Sequence, residues 1–466
     1  MAFFNGVRTS SELGSMTDLE KIEKSLSAGY GTDSAIFVNG RAMISEDLEA
    51  TVVNVVAQTK EDCKVLNTMK KTPAKSTVHE FNRRKSFGNF RHLTTKEGGR
   101  SAVTTQDIAR DFVNIKYLQT RRSVTRPMEV ADTFENAYAS EKIAGVETIT
   151  QGIENLIFHG DSAVVPTEFD GFISTLRKSP NATKYDLRGD SLGAVGRGEE
   201  VFNEIARQVW DKNGDVDRVL FPSALANDVM SIFDKRLAFT ALTAPFKEYP
   251  PFLTRIGSSI RFFGDDAGAD KFYRVKGKVE AEGAAEDRPN PPTSVTAVAG
   301  AKTGSMFGAN DAGDYLYTVH AVNEFGISAG TSVAAPVTVA KDDGVTLTIT
   351  PDSTGKAATG FIICRSKKDG TEVMEMDSIG IGAGATTEYV DLNEELPGTA
   401  SMVFLSKSKI QNPFDLVQLL PVCTYPLYPT DTAETPFLIL AYVALAVKAP
   451  EHLALAKNIS YSGGLY

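Results

Sequence analysis

The residues of this chain able to do chemistry are unevenly placed. Between Met69 and Arg126 there are fourteen basic and four acidic residues, a local charge of +10, whereas the 466-residue chain as a whole carries −10. The rest of the chain is therefore strongly acidic. A basic block inside an acidic chain calls for an anionic partner, either nucleic acid or the acidic body of another copy. Arg83, Arg84, Lys85, Arg91, Arg121 and Arg122 are the candidate inter-subunit contacts. The nucleic-acid reading is the weaker one. Beside the charges the segment offers only Phe81, Phe87, Phe90 and Tyr117 for stacking on bases, and the acidic remainder repels phosphate.

Nothing else in the chain has the spacing of a reactive centre. His79, His92, His159, His320 and His452 are scattered and show no ligand spacing. Cys63, Cys364 and Cys423 lie far apart, which fits buried thiols made in a reducing compartment. The run Arg188-Gly189-Asp190-Ser191-Leu192-Gly193 is not followed by Gly-Lys-Ser/Thr, so it does not make a phosphate loop. Asp265-Asp266 and Asp342-Asp343 read as turns. The expectation is a protein that is not an enzyme and has no catalytic, cofactor-binding or metal site.

The elements that must position the basic block follow from periodicity. Hydrophobic residues make up 42% and charged residues 23%, the proportions of ordinary globular protein, and the length suggests several domains. No signal-peptide core is visible at Met1 to Ser10, and the longest apolar run, Phe437 to Val447, is too short to span a membrane. Ser45 followed by Glu46-Asp47-Leu48-Glu49 reads as the start of a helix towards Ala57. Ser76 to Arg91 and Asp111 to Gln119 read as a two-stranded ribbon turned near Gly88 or Gly98-Gly99, with Val113, Ile115 and Tyr117 on one face. Such a ribbon is too polar to form a core and must lie on something else. Asp132 or Thr133 can cap a long helix from about Phe134 to Phe158, in which Gly145 and Gly152 mark close packing. A second helix covers Glu199 to Lys212, with Val201, Ile205, Val209 and Trp210. Arg218 to Pro222 is a strand, Ser223 caps a third helix to about Phe233, and Val403 to Ser406 resumes the host. Phe437 to Lys448 is a strand or a helix, undecided by period alone, and Asn458 to Tyr461 is a last short strand.

From Pro289 to Met402 the composition changes to short β-rich runs separated by Gly, Asp and Asn. Tyr315, Tyr317, Val319 and Ala321 alternate along a half-buried strand that ends at an Asn323-Glu324-Phe325-Gly326 turn. Val345 to Thr350, Phe361 to Arg365 and Thr386 to Asp391 supply further strands. The pattern Tyr-x-Val-x-Ala-x-Asn-x-x-Gly-x-Ser resembles late strands of fibronectin type III and immunoglobulin-like sandwiches, and the stretch has about the length of one such domain. It holds six basic and fourteen acidic residues, which suits a solvated outward knob better than a glycan-binding adhesin.

The order of parts resembles the major capsid proteins of tailed bacteriophages, which share the Hong-Kong-97-type fold. The resemblance is greatest to large contractile-tailed phages whose capsid protein carries an immunoglobulin-like insert. It rests on a co-linear set: Ala28-Gly29-Tyr30-Gly31, Thr72 to Val78, Glu154 to Asp161, Glu168-Phe169-Asp170-Gly171-Phe172, Asp391 to Pro397, Leu419-Leu420-Pro421 and Ala444 to Pro450. It implies an α+β fold with an N-terminal arm (1–68), an extension loop (69–126) and a peripheral domain holding a spine helix (127–200). An axial domain begins at 201–288, an all-β insertion occupies 289–402, and 403–466 returns to the axial and peripheral domains.

The implied function is self-assembly, as hexamers and pentamers, into an icosahedral head shell around double-stranded DNA that is not bound sequence-specifically. Implied partners are other copies, a portal, a scaffold or protease, and minor capsid proteins, with no membrane. The implied location is the virion, after assembly in the host bacterial cytoplasm, with processing sought in Met1 to Ser27. Some relatives weld their shells by a Lys–Asn bond, for which Lys75, Lys85 or Lys96 would supply the amine and Asn412 or Asn458 the amide; solvated or salt-bridged lysines are the simpler reading. An encapsulin-type bacterial shell and a surface-binding protein acting through the insert are the alternatives.

Overall fold

The computed structural model describes residues 63–88, 93–100, 103–131, 136–193, 198–237, 251–264, 267–406, 412–429 and 432–466. The expected helix from Ser45, the caps at Asp132 and Thr133, and Phe134, Phe90, Arg91, His92 and Asp265-Asp266 lie outside them. A short helix, α1 (Lys64–Thr68), leads into β1 (Lys71–Pro73). β2 (Val78–Ser86) and β3 (Asp107–Asn114) pair antiparallel as the ribbon. The ribbon is shorter than the alternation suggested, because the chain changes partner at Ile115. β4 (Lys116–Thr125) leaves β2 and pairs with β21 (Glu434–Val447). The change shifts the phase of alternation. Val113 is half-buried and Ile115 buried, but Tyr117 is 57% exposed, on the face opposite to the one expected.

After α2 (Arg126–Val130), the long helix α3 (Ala137–His159) runs for 23 residues, about 34 Å at 1.5 Å per residue. It buries Ile149, Ile153 and Ile157 and packs across β4 and β21, where Tyr138 meets Phe437 edge-on at 5.0 Å. A Cβ on Gly145 would stand 2.3 Å from Ile439 Cδ1, so any larger residue at this crossing must push the end of that buried side chain aside. Gly152 has nothing within 4 Å of that position, so the expected second close contact is absent. The sheet beneath α3 has the order β1-β20-β21-β4, with β20 spanning Phe414–Pro426. The undecided run Phe437 to Lys448 is thus a strand. It is apolar at successive residues because it lies between two other strands and is covered on both faces from Val443 to Val447.

The second layer begins with α4 (Phe172–Lys178), β5 (Thr183–Asp186), α5 (Gly198–Asp211) and β6 (Val216–Pro222). α6 (Ala226–Leu237), β7 (Phe252–Leu253), β8 (Ser259–Ile260) and β9 (Gly268–Asp270) follow. Ser223 opens a 3-10 turn to Leu225 with no side-chain cap, so the expected helix starts later, at Ala226. Trp210, expected on the apolar face of α5, is 42% exposed, while Val201, Ile205 and Val209 are buried.

The host resumes after the β-rich segment with β19 (Ala400–Ser406) and ends with β22 (Ala454–Ile459), which starts earlier than the expected last strand. These strands form one sheet in the order β5-β22-β19-β6-β9. Phe202, Phe252, Phe262 and Phe404 fill its core.

The segment between β9 and β19 contains only strands and one 3-10 turn. In order they are β10 (Ser294–Ala301), β11 (Gly313–Tyr315), β12 (Tyr317–Asn323), β13 (Gly326–Ser332) and β14 (Val337–Val339). β15 (Asp343–Thr350), β16 (Gly360–Ser366), β17 (Val373–Gly380) and β18 (Thr387–Asp391) complete it. Two antiparallel sheets, β10-β15-β18 and β13-β12-β16-β17, enclose a core of their own that includes Tyr317, Val319, Leu347, Phe361 and Ile363. Asn323 Oδ1 accepts the N–H groups of Phe325 and Gly326 at 2.9 and 3.0 Å, which fixes the turn read from the sequence. β12 was expected to be half-buried. Val322 on its other face is buried as well, because Val164 and Val165 of the loop after α3 pack against it, and so is His320, whose Nδ1 lies 3.0 Å from the Ser328 carbonyl.

Candidate assembly surfaces

Two regions of the described structure have the character of an interaction site: the ribbon, and the seam that fastens the two-sheet segment to its host. The ribbon is anchored at its root, where Phe81 and Val113 pack on the main core. Its exposed side carries Val78, Glu80, Asn82 and Arg84 on β2 and Asn114, Phe112, Arg110 and Ile108 on β3. Phe112 is 65% exposed, and the Arg84 guanidinium lies 5.0 Å from the centre of the exposed Phe87 ring. The surface is therefore mixed, with cations set among large apolar side chains. The sequence alternation also places Phe112 with Asn114 on the face opposite to Val113, and the structure leaves that face exposed.

The candidate basic residues separate into groups. Arg84 and Lys85 are exposed on the ribbon. Arg83 points to the inner side, ion-paired with Asp111 at 2.6 Å and lying 3.9 Å from Glu451 of the host. Arg121 and Arg122 are on β4, in the four-stranded sheet and not on the ribbon. Arg122 binds Glu141 at 2.9 Å and Thr148 at 3.0 Å, both on α3, and Arg121 stands 3.7 Å from Glu434. Arg91 lies outside the described residues.

Asn458 is a structural residue. It is 1% exposed, sits at φ +58°, donates to Asp186 Oδ1 at 2.8 Å and to the Glu394 carbonyl at 3.0 Å, and accepts from the Leu396 N–H at 2.9 Å. Its amide is thereby withdrawn from any lysine of another copy. Asn412 is exposed, as are Lys75, Lys85 and Lys96.

The seam centres on Glu395. Its carboxylate binds Lys276 at 2.6 Å and Lys457 at 2.9 Å, with Arg177 at 3.9 Å. Arg177 also reaches Asp377 of β17 at 2.6 Å. Burial alone would raise the Glu395 carboxyl, but Lys276, Arg177 and Lys457 outweigh it and hold it down to about 2. Beside the seam a cleft of about 960 Å³ opens between the end of α3, the 274–283 segment and the β12–β13 turn. His159 lines it. Its Nε2 accepts the Arg274 N–H at 2.8 Å, and burial, with the Arg274 charge, lowers its pKa to about 3. A histidine held neutral in this way cannot exchange protons with a substrate near neutral pH. Among the described residues, no group of three or more His, Cys, Asp or Glu is arranged to hold a metal ion.

No family model matches the chain. Among curated proteins it is 25% identical over 465 residues, with 95% of each chain covered, to the major capsid protein of Staphylococcus phage K. It is 24% identical over 466 residues, again with 95% of each covered, to the putative major capsid protein of Enterococcus phage phiEF24C. Its relatives are phage major capsid proteins. Among solved structures, the capsid of cyanophage P-SCSP1u overlaps with a TM-score of 0.45 at 9% identity, covering 98% of this chain and 100% of that one. The encapsulin complex of Synechococcus elongatus overlaps at 0.42 and 8% identity, covering 90% and 94%. The sequence relatives match over 95% of each chain.

Proposed function

We propose that this chain is the major capsid protein of a tailed bacteriophage and builds the icosahedral head shell around packaged double-stranded DNA. The observation that carries the reading is the co-linear match, over 95% of the chain, to proteins named as major capsid proteins. A 23-residue spine helix over a sheet, a projecting ribbon and a second layered sheet support assigning the Hong-Kong-97-type plan. In that plan 1–68 is the arm, 69–126 the extension loop, 127–200 the peripheral domain, 201–288 the first part of the axial domain and 403–466 the return to the axial and peripheral domains. The two antiparallel sheets with their own core support reading 289–402 as an immunoglobulin- or fibronectin-III-like insert. Its excess of eight acidic charges suits a position on the outer surface.

In this reading the ribbon of one copy lies on the acidic body of the next. Arg84 and Lys85 supply the electrostatic match, and Phe112 and Ile108 the buried area. Many weak contacts repeated around hexamers and pentamers close the shell. Portal, scaffold or protease, and minor capsid proteins complete the particle, which forms in the bacterial cytoplasm. Electron microscopy of the purified chain tests the reading: closed shells are expected, alone or with scaffold. A chain that stays monomeric at high concentration under both conditions overturns it.

A further inference from the structure

The spine helix carries one acid into the core. Glu154 is completely buried on the face of α3 that holds Ile153 and Ile157. Its Oε1 accepts the N–H of Val65 and its Oε2 the N–H of Leu66, both at 2.8 Å. These are first-turn amides of α1, a helix with no side-chain cap of its own. Glu154 thus caps α1 from another helix, satisfying two amides that would otherwise be orphaned.

Facing it is Asp270, at the end of β9 and 2% exposed. Asp270 Oδ1 accepts the Phe272 N–H at 2.8 Å, while Oδ2 has no hydrogen-bond partner, although the two carboxyl groups are within hydrogen-bonding reach. Two buried carboxylates so close cannot both ionise without heavy cost. A proton on Glu154 removes the conflict. The protonated oxygen donates to Asp270 Oδ2 and still accepts from the backbone.

The charged group facing the pair from α1 is Lys64, whose Nζ donates to the Ala269 carbonyl at 3.0 Å and whose charge favours the ionised form of Asp270. Also titratable are Tyr138, Glu141, Lys142 and Glu147 further towards the start of α3, Lys271 next to Asp270, the Cys63 thiol ahead of α1, the Tyr273 phenol, bonded to Ser401 at 2.9 Å, and His159, bonded to the Arg274 N–H.

We propose that Glu154 and Asp270 form a proton-operated latch that clamps α1, and with it the root of the ribbon, to the spine helix, and that loss of the shared proton at alkaline pH opens it. Burial first, and the Asp270 charge second, raise the Glu154 carboxyl to about 8 against the lowering effect of the two N–H groups; burial raises Asp270 too. Because Glu154 binds its proton more tightly in the folded chain, the latch holds in acid and is lost as pH rises through about 8.

Hydrogen–deuterium exchange on the intact chain, corrected for the intrinsic pH dependence of exchange, reads the latch directly. Protection of the α1 amides should fall about tenfold for the first pH unit beyond the transition, while the amides of β12 and β16 stay protected. In Asp270→Asn the amide nitrogen takes the place of Oδ2 and donates to an ionised Glu154, so protection should no longer depend on pH. Glu154→Gln should also be independent of pH, with weaker protection throughout, because its amide nitrogen cannot accept the Leu66 N–H. A flat profile in the unaltered chain overturns the latch, as does an unchanged pH step in Asp270→Asn. Should Asp270→Asn not fold, Glu154→Gln decides alone, and a retained step there overturns the proposal.

Discussion

Arg365 and Asp391 form an ion pair at 2.5 Å with 0% and 1% of their side chains exposed, inside the segment between β9 and β19. The guanidinium also donates to Asn393 Oδ1 at 2.7 Å and lies over the rings of Phe307 and Tyr315, while Tyr317 donates to the same aspartate at 2.8 Å. Removing one charge strands the other in an apolar core. Arg365→Ala is therefore expected to destabilise the two-sheet segment by about 3–5 kcal/mol. The pair replaced as a whole, Arg365→Met with Asp391→Leu, should lose less than either single change. Denaturant unfolding followed by the near-ultraviolet signal of Tyr315 and Tyr317 checks both.

The two glycines of α3 make a matched test. Gly145→Ala forces a methyl group onto the buried Ile439, and overpacking of this kind costs about 1–3 kcal/mol. Gly152→Ala meets nothing and should stabilise the helix by roughly 0.5–1 kcal/mol. Opposite shifts in melting temperature are expected from two identical substitutions seven residues apart.

Reversing Arg84 and Lys85 to Glu should block assembly while the monomer keeps its fold, since neither residue contributes to a core. Each exposed contact is worth about 0.2–1 kcal/mol, multiplied by the number of copies. Arg83 is best left intact, because its partners Asp111 and Glu451 are in its own chain. Phe112→Ser should weaken assembly without altering its salt dependence. Light scattering against salt concentration separates the two effects. If the segment binds DNA instead, the charge-reversed chain will assemble normally and only packaging will suffer.

Acid should loosen the seam. Glu395 has a folded pKa of about 2 against an ordinary 4.5, so its stabilising contribution is fully present above about 4.5 and is lost as pH falls through about 2. The shift corresponds to about 3 kcal/mol. Glu395→Gln should remove that part of the acid dependence and lower stability at neutral pH, where three cations would be left facing an uncharged amide. Urea midpoints measured across this range test the sign.

The alternation of Tyr315, Tyr317, Val319 and Ala321 was legible because one face of β12 looks into the core of its own segment. The burial of Val322 was not, because its cover comes from Val164 and Val165, distant in sequence. The run Phe437 to Val447 was ambiguous for the same reason: a strand covered on both faces loses the period that identifies strands. Arg83 and Arg84 are adjacent and chemically identical in the sequence, and only pairing with β3 turns one inward and the other outward. Glu395 with Lys276, and Glu154 with Asp270, join residues more than a hundred positions apart, and no local pattern announces such pairs.

The position of β19 has a consequence for the order in which the chain can fold. β19 lies between β22 and β6 in the five-stranded sheet, yet it is made only after the whole stretch from Asp270 to Ala400. Left floppy, that stretch would be a long loop whose closure entropy opposes pairing of β6 with β19. Once the stretch has folded, its two ends meet, the Lys276 N–H donating to the Thr399 carbonyl at 3.1 Å, and most of that entropy has already been lost. The segment between β9 and β19 thus acts as a splint. Early formation of its own core presents β19 to β6, and β22, made last, then pairs with the other edge of β19.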